Sequence, residues 1–106
     1  MAERLSPSTA VVGIVGAGTM GEGIAALAAL AGHPVLLFDA ASGAAEKAAA
    51  RIARRVSAVR ALADLAPSAL VIEAIVEDLA AKRELFAALE SIVGEGAIIA
   101  TNTSSL

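Results

Sequence analysis

The sequence predicts an α/β domain with a doubly wound parallel sheet, and three observations carry that prediction. Short apolar runs alternate with segments of helical period along the chain. The first run, Ala10–Val15, opens directly into Gly16-Ala-Gly18-Thr-Met-Gly21. The second, Val35–Phe38, ends in an acid, Asp39, about twenty residues further on.

The elements follow in order. Residues 1–9 read as a lead-in, and residues 10–106 as a single domain. Ala10–Val15 is an almost unbroken apolar run, which suits a strand buried on both faces. Thr19–Ala31 reads as the first helix, with Met20, Ile24, Leu27, Ala28 and Ala31 on its apolar face and Gly32 as its stop. Val35–Phe38 is the second strand. Ser42 is a candidate N-cap for a second helix running to about Arg54. Val56–Val59 forms a short third strand, and Ala61–Ala66 a helical turn closed by Pro67. Leu70–Ala74 is the fourth strand. Asp78 opens a third helix to about Val93, where Leu79, Phe86 and Val93 recur with Leu85, Leu89 and Ile92 beside them. Gly94 and Gly96 end it before a fifth strand, Ala97–Thr101. Right-handed crossovers between parallel strands then give the spatial order 3-2-1-4-5.

That order makes the first and fourth strands neighbours whose connections leave in opposite directions. Their carboxyl ends frame a crevice for a ligand. The glycine loop lies on this edge, and its spacing has a physical reading. Gly16 permits the tight turn out of the strand, Gly18 removes a Cβ from the path of a phosphate, and Gly21 lets the next helix sit close on the strand. The free N–H groups of that helix then face a pyrophosphate. Asp39 can accept hydrogen bonds from both ribose hydroxyls, and its charge repels a 2′-phosphate. Ala40, Ala41, Ser42 and Gly43 provide no arginine clamp, so NAD is expected in preference to NADP. A dinucleotide-binding, Rossmann-type domain is the outcome.

Bulk composition excludes several other classes. With 58% hydrophobic and 18% charged residues the chain is not disordered. A net charge of −3 and only two aromatic residues, both Phe, give no footprint for nucleic acid. There is no cysteine and one histidine, so neither disulfides nor a thiolate or histidine-rich metal site is expected, and no metal is assigned. The absence of cysteine accords with a cytoplasmic location. The apolar stretches are interrupted by Gly13, Gly16, Gly18, Glu22, Gly32 and Pro34. None reaches the roughly 20 residues a bilayer requires, so no membrane segment is expected. The start, Met1-Ala-Glu-Arg-Leu-Ser-Pro7, has no basic region followed by an apolar core and reads as no signal peptide.

Two further segments reach the same edge of the sheet: Val71-Ile-Glu73-Ala-Ile-Val-Glu77 after the fourth strand, and Ala100-Thr-Asn102-Thr-Ser104-Ser-Leu106 after the fifth. Together with Gly-Ala-Gly-Thr-Met-Gly and in this order, they resemble the NAD-binding domain of the 3-hydroxyacyl-CoA dehydrogenases from about Val11 to Leu106. The Asn-Thr-Ser-Ser element is the discriminating one. The resemblance implies that Gly16, Ala17, Gly18, Thr19, Met20 and Gly21 cradle the pyrophosphate and that Asp39 binds the ribose. It implies that Glu77 and Lys82 contact NAD near its nicotinamide half, with Asn102 in the same edge loop. Ser104 matches a serine beside cofactor and substrate, whose hydroxyl bonds the reacting oxygen. The implied reaction is oxidation of (S)-3-hydroxyacyl-CoA to 3-ketoacyl-CoA, in a full-length homodimer.

Two departures from that family pattern stand out. The family's general base is a histidine oriented by a glutamate, downstream of Asn-Thr-Ser-Ser, and nothing here matches it. The isolated chain is therefore expected to bind NAD without turning over, its substrate domain being absent. Relatives also carry a helical excursion after the second helix that helps to hold CoA. Here Ala53-Arg-Arg-Val passes straight into the third strand, and no CoA ligand is assigned to Arg54 or Arg55.

The remaining polar residues have plainer readings. His33, in Gly32-His-Pro34, falls at the amino edge of the sheet and reads as part of a turn. Glu22 reads as a solvated acid in a first helical turn. Glu73 reads as a carboxylate bonding nearby backbone at a strand end, and Lys47, Arg51 and Arg54 as a solvated helix face. Glu77 with Lys82 could form a surface pair, and Ser104 could cap a helix. Two other functions fit the glycine loop: a β-hydroxyacid dehydrogenase of the hydroxyisobutyrate type, against which Asn102–Ser105 speaks, and a non-catalytic NAD-binding module.

Overall fold

A computed structural model describes residues 10–52, 55–75 and 78–101 of the chain. The lead-in, residues 1–9, lies outside them. Five strands, β1 (Val12–Val15), β2 (Val35–Phe38), β3 (Val56–Ala58), β4 (Leu70–Glu73) and β5 (Ile98–Thr101), form one parallel sheet in the order β3-β2-β1-β4-β5. The predicted topology is the observed one. In register, Val15 at the end of β1 stands beside Phe38 of β2 and Glu73 of β4, and Glu73 beside Thr101 of β5. Four strand ends are thereby aligned along one edge.

Three α-helices cover the sheet: α1 (Thr19–Leu30), α2 (Ala44–Ile52) and α3 (Leu79–Ile92), with a 3-10 turn at Leu62–Leu65. Side chains of a strand alternate between faces, and the core accordingly splits in two. Val12, Ile14, Val35 and Leu37 pack under Ala25, Ala29, Ala45 and Ala48 of α1 and α2. Val15, Val71, Leu65 and Leu89 pack on the opposite face, beneath α3 and the 3-10 turn.

The helix faces agree only in part with those read from sequence: Ile24 and Ala28 of the first helix, and Leu85, Leu89 and Val93 of the third, pack on the core as read. In α1 the buried row is Gly21, Ala25 and Ala29, whereas Met20 is 58% exposed and Leu27 69%. Small side chains let α1 lie close on the sheet, and a leucine in that row would hold it off. In α3 the inward row is Leu85, Leu89 and Val93, and Leu79 in the first turn is exposed.

Helix ends are closer to expectation. Gly32 adopts φ +103 after α1, its N–H donates to Ala29 O, and the His33 N–H donates to Ala28 O. This pair of bonds is the Schellman arrangement. Asp78 caps α3 by accepting from Ala81 N at 3.1 Å. Ser42 is displaced from its expected role: α2 begins at Ala44, so Gly43, at φ +81, precedes it. Among the described residues, no helix is long and apolar enough to cross a membrane.

Candidate functional site

The chain leaves β1 at Gly16 with φ +112, a conformation that costs a side-chain-bearing residue strain. A Cβ there would also lie 2.7 Å from Ala74 O, on the neighbouring strand's exit. The loop then enters α1 with Gly18 as its N-terminal cap and no side chain capping the helix. The first-turn N–H groups of α1 are thus left for an outside acceptor. Gly21 sits against the turn itself: a Cβ on it would fall 1.6 Å from Gly16 O. At Gly18 the space beyond the Cα is open, with no atom within 4 Å of a built Cβ.

Asp39 follows β2 on the same edge and fastens the loop from the side. Its Oδ2 accepts from Ala17 N at 2.6 Å and its Oδ1 from Ala41 N at 2.7 Å. Each carboxylate oxygen has two lone pairs, so one acceptor position per oxygen remains for a ligand hydroxyl. A cleft of about 520 Å³ spans this edge. Gly16 and Gly18 form its floor, Asp39 and Ala40 one wall, and Ala74, Ile75, Asp78, Ala81 and Leu85 the other. It is mostly apolar, with a charged group at one end and helical N–H groups in the middle. That combination fits a flat heteroaromatic ligand carrying phosphates.

A second cavity of about 510 Å³ adjoins Asp39 on the β3 side and is lined by Ser42, Gly43, Glu46 and Arg60 among others. Arg60 lies 3.9 Å from the Glu46 carboxylate. Sequence reasoning sought a cation only just after Asp39 and missed Arg60, which follows the third strand. Its signal was available in the order of the strands, since β3 pairs with β2.

On the other side of the cleft, Glu73 is fully buried. Its Oε2 accepts from Ile75 N at 2.6 Å, its Oε1 accepts from Thr101 Oγ1 at 2.5 Å, and Lys82 Nζ stands 3.7 Å away. The reading of Glu73 as a backbone-bonding carboxylate is correct as far as it goes. Among the described residues, Lys82 pairs with Glu73, a partner that sequence reasoning did not propose. Glu77, Asn102 and Ser104 lie outside the described residues, as does Arg54.

Glu22 is the acid of the first turn of α1, as read, and it also has a partner not foreseen: Arg51, whose Nε and Nη2 approach its two oxygens at 2.7–3.1 Å and tie α1 to α2. The hydrogen bonds from Arg51, helped by its charge, hold the Glu22 carboxyl below the ordinary carboxylate range despite opposing desolvation, and Arg51 is raised in turn. Arg51 stays on the solvated face, 58% exposed, while it makes this pair. His33 lies at the opposite edge of the sheet, with Nδ1 3.1 Å from Ala10 O. A carbonyl only accepts, so Nδ1 carries the proton in that bond. The turn role of His33 is the observed one.

Comparisons with known proteins agree with this geometry. A family model described as "3-hydroxyacyl-CoA dehydrogenase, NAD binding domain" matches residues 11–61 and 49–106. The two matches overlap around the end of α2 and β3, where the sequence passes directly between those elements. A 3-hydroxybutyryl-CoA dehydrogenase of Mycobacterium tuberculosis is 40% identical over 117 aligned positions, covering 90% of this chain and 41% of the relative. A human mitochondrial hydroxyacyl-coenzyme A dehydrogenase is 34% identical, covering 90% of this chain and 39% of its own length. The crystal structure of an (S)-3-hydroxybutyryl-CoA dehydrogenase from Ralstonia eutropha superposes with a TM-score of 0.84 at 35% identity, over 93% of this chain and 42% of that one. The chain thus spans about two fifths of the relatives it matches.

Proposed function

The chain belongs to the NAD-binding domain family of the 3-hydroxyacyl-CoA dehydrogenases, and on that footing we propose that it is the cofactor-holding part of an enzyme that oxidises (S)-3-hydroxyacyl-CoA to 3-ketoacyl-CoA. The observation that carries this reading is the single cleft joining Gly16, Gly18 and Asp39 across the ends of β1, β2 and β4. Bound there, NAD supplies the hydride acceptor for alcohol oxidation.

The chain's own residues divide the work of binding. The turn Gly16, Ala17, Gly18, Thr19, Met20 and Gly21 cradles the pyrophosphate, which meets the N–H groups from Gly18 onward, those of Gly16 and Ala17 being taken by Phe38 O and Asp39 Oδ2. Asp39 orients the ribose through its remaining acceptor positions. The family resemblance assigns Lys82, Glu77 and Asn102 to the nicotinamide half, and Ser104 to the substrate oxygen at the reacting carbon. A general base is also required, and an imidazole titrates in the useful range. The one histidine of these 106 residues, His33, bonds Ala10 O at the opposite edge. On this reading His33 is not the base, and an acyl-CoA substrate and a homodimeric assembly belong to the enzyme as a whole. A cytoplasmic setting accords with the cysteine-free composition.

Specificity for NAD rests on charge. Asp39 meets a 2′-phosphate with a like charge, and Glu46 beside Arg60 supplies a second acid at the mouth of the adjoining cavity. The Arg60 side chain is 91% exposed and its pair is long, so the attraction it offers a phosphate is weak. Titration with NADH and, separately, NADPH, followed by nicotinamide fluorescence, tests the reading. Saturable binding with NADH tighter by at least about tenfold is expected from one unfavourable charge contact. Absence of binding by a folded chain, or a preference for NADPH, contradicts it.

A further inference from the structure

Glu73 is more expensive than its hydrogen bonds require. Its carboxylate is fully buried, yet the two donors it serves within the sheet, Ile75 N and Thr101 Oγ1, need only a neutral acceptor. A glutamine would accept from Ile75 N through its oxygen and donate its NH2 to the Thr101 hydroxyl, which can turn to accept, without carrying a charge into the interior. Buried ion pairs add little net stability against neutral replacements, so stability alone does not explain a carboxylate at this position. What the charge does serve is Lys82 Nζ, 3.7 Å away on a side chain only 12% exposed.

The position of this cluster gives the charge a purpose. Glu73 stands beside Val15 in register, immediately before the glycine loop, and Ala74 and Ile75 after it line the cleft. Asp39 marks the ribose end on β2. A dinucleotide whose pyrophosphate lies over the end of β1 then extends its other half over β4 and β5. Thr101, the last described residue of β5, and Lys82, in the first turns of α3, both belong to that half, and one carboxylate grips both.

We propose that Glu73 is a positioning residue for the nicotinamide half of the cofactor. Its buried charge holds the Lys82 ammonium and the carboxyl end of β5 in fixed relation to the glycine loop. This role rests on the dinucleotide reading given above and adds a residue to it. Glu73 does not touch the cofactor and acts through Lys82 and Thr101.

The test compares NADH with ADP-ribose, which lacks the nicotinamide, as ligands of the native chain, Glu73→Gln, Lys82→Gln and the double variant. Glu73→Gln is expected to weaken NADH by about three- to tenfold, the usual size of coupling between contacting groups, and to leave ADP-ribose within about twofold. In the Lys82→Gln background the same replacement should add no further loss. Thr101→Val, which removes one donor and no charge, should weaken NADH in the same selective direction, and it serves if Glu73→Gln fails to fold. Equal loss for both ligands, no loss for either, or additive losses in the double variant overturn the positioning role. A native chain that binds neither NADH nor ADP-ribose overturns the dinucleotide reading itself, and the positioning role with it.

Discussion

Gly21→Ala is expected to destabilise the fold by roughly 3 kcal/mol or more and to abolish measurable NADH binding. The added methyl would lie 1.6 Å from Gly16 O. That oxygen belongs to backbone in a left-handed turn and cannot swing aside as a flexible side chain can. Either α1 lifts from the sheet or the turn after β1 reforms, and both changes dismantle the cleft floor. Gly18→Ala is the informative contrast. A Cβ there meets no atom within 4 Å, and the φ of −73 is one that alanine adopts readily. Its melting temperature should stay near that of the native chain while NADH binding weakens, because the methyl enters the space left for phosphate. Thermal melts and NADH titrations of both variants check this. Equal stability of the Gly21 variant and the native chain would remove the close helix–strand approach from the account.

Asp39→Ala is expected to weaken NADH binding by about ten- to a hundredfold, corresponding to roughly 1.5–3 kcal/mol for hydrogen bonds to a charged group. Part of that loss comes from the loop, not from the ribose. Asp39 accepts from Ala17 N and Ala41 N, so the truncation leaves two backbone donors without their acceptor. Asp39→Asn separates the contributions. The amide keeps one oxygen acceptor and removes the charge, so it should retain more NADH affinity than alanine and lose some discrimination against NADPH. Calorimetric titration with both cofactors measures the two effects. An unchanged dissociation constant for Asp39→Ala would take the residue out of the site.

Much of this architecture is legible because it is local. The strand order follows from alternating apolar runs, and the glycine loop declares itself through Gly16 and Gly21, two positions whose backbone admits no side chain. Gly32 and Asp78 mark helix ends through their own backbone and side-chain chemistry. The helix faces are less legible for a physical reason. Alanine contributes little contrast to a hydrophobic period, and the sheet selects Ala25 and Ala29 for their size, leaving Met20 and Leu27 outside. The polar pairs were hidden by distance along the chain. Glu22 finds Arg51 on another helix, and Glu73 finds Thr101 two elements later. No spacing rule within one element announces such partners, and only the register of the parallel strands brings Glu73 and Thr101 side by side.

Residue-level mapping of NADH on an isotope-labelled chain tests the central claim most directly. Amide shifts upon saturation should concentrate at Gly16, Gly18, Gly21, Asp39, Ala74 and Ile75, along the carboxyl edge of β1, β2 and β4. His33, at the opposite edge, should stay silent. Saturable binding that instead perturbs the amino edge around His33 and leaves the glycine loop unmoved would contradict the account.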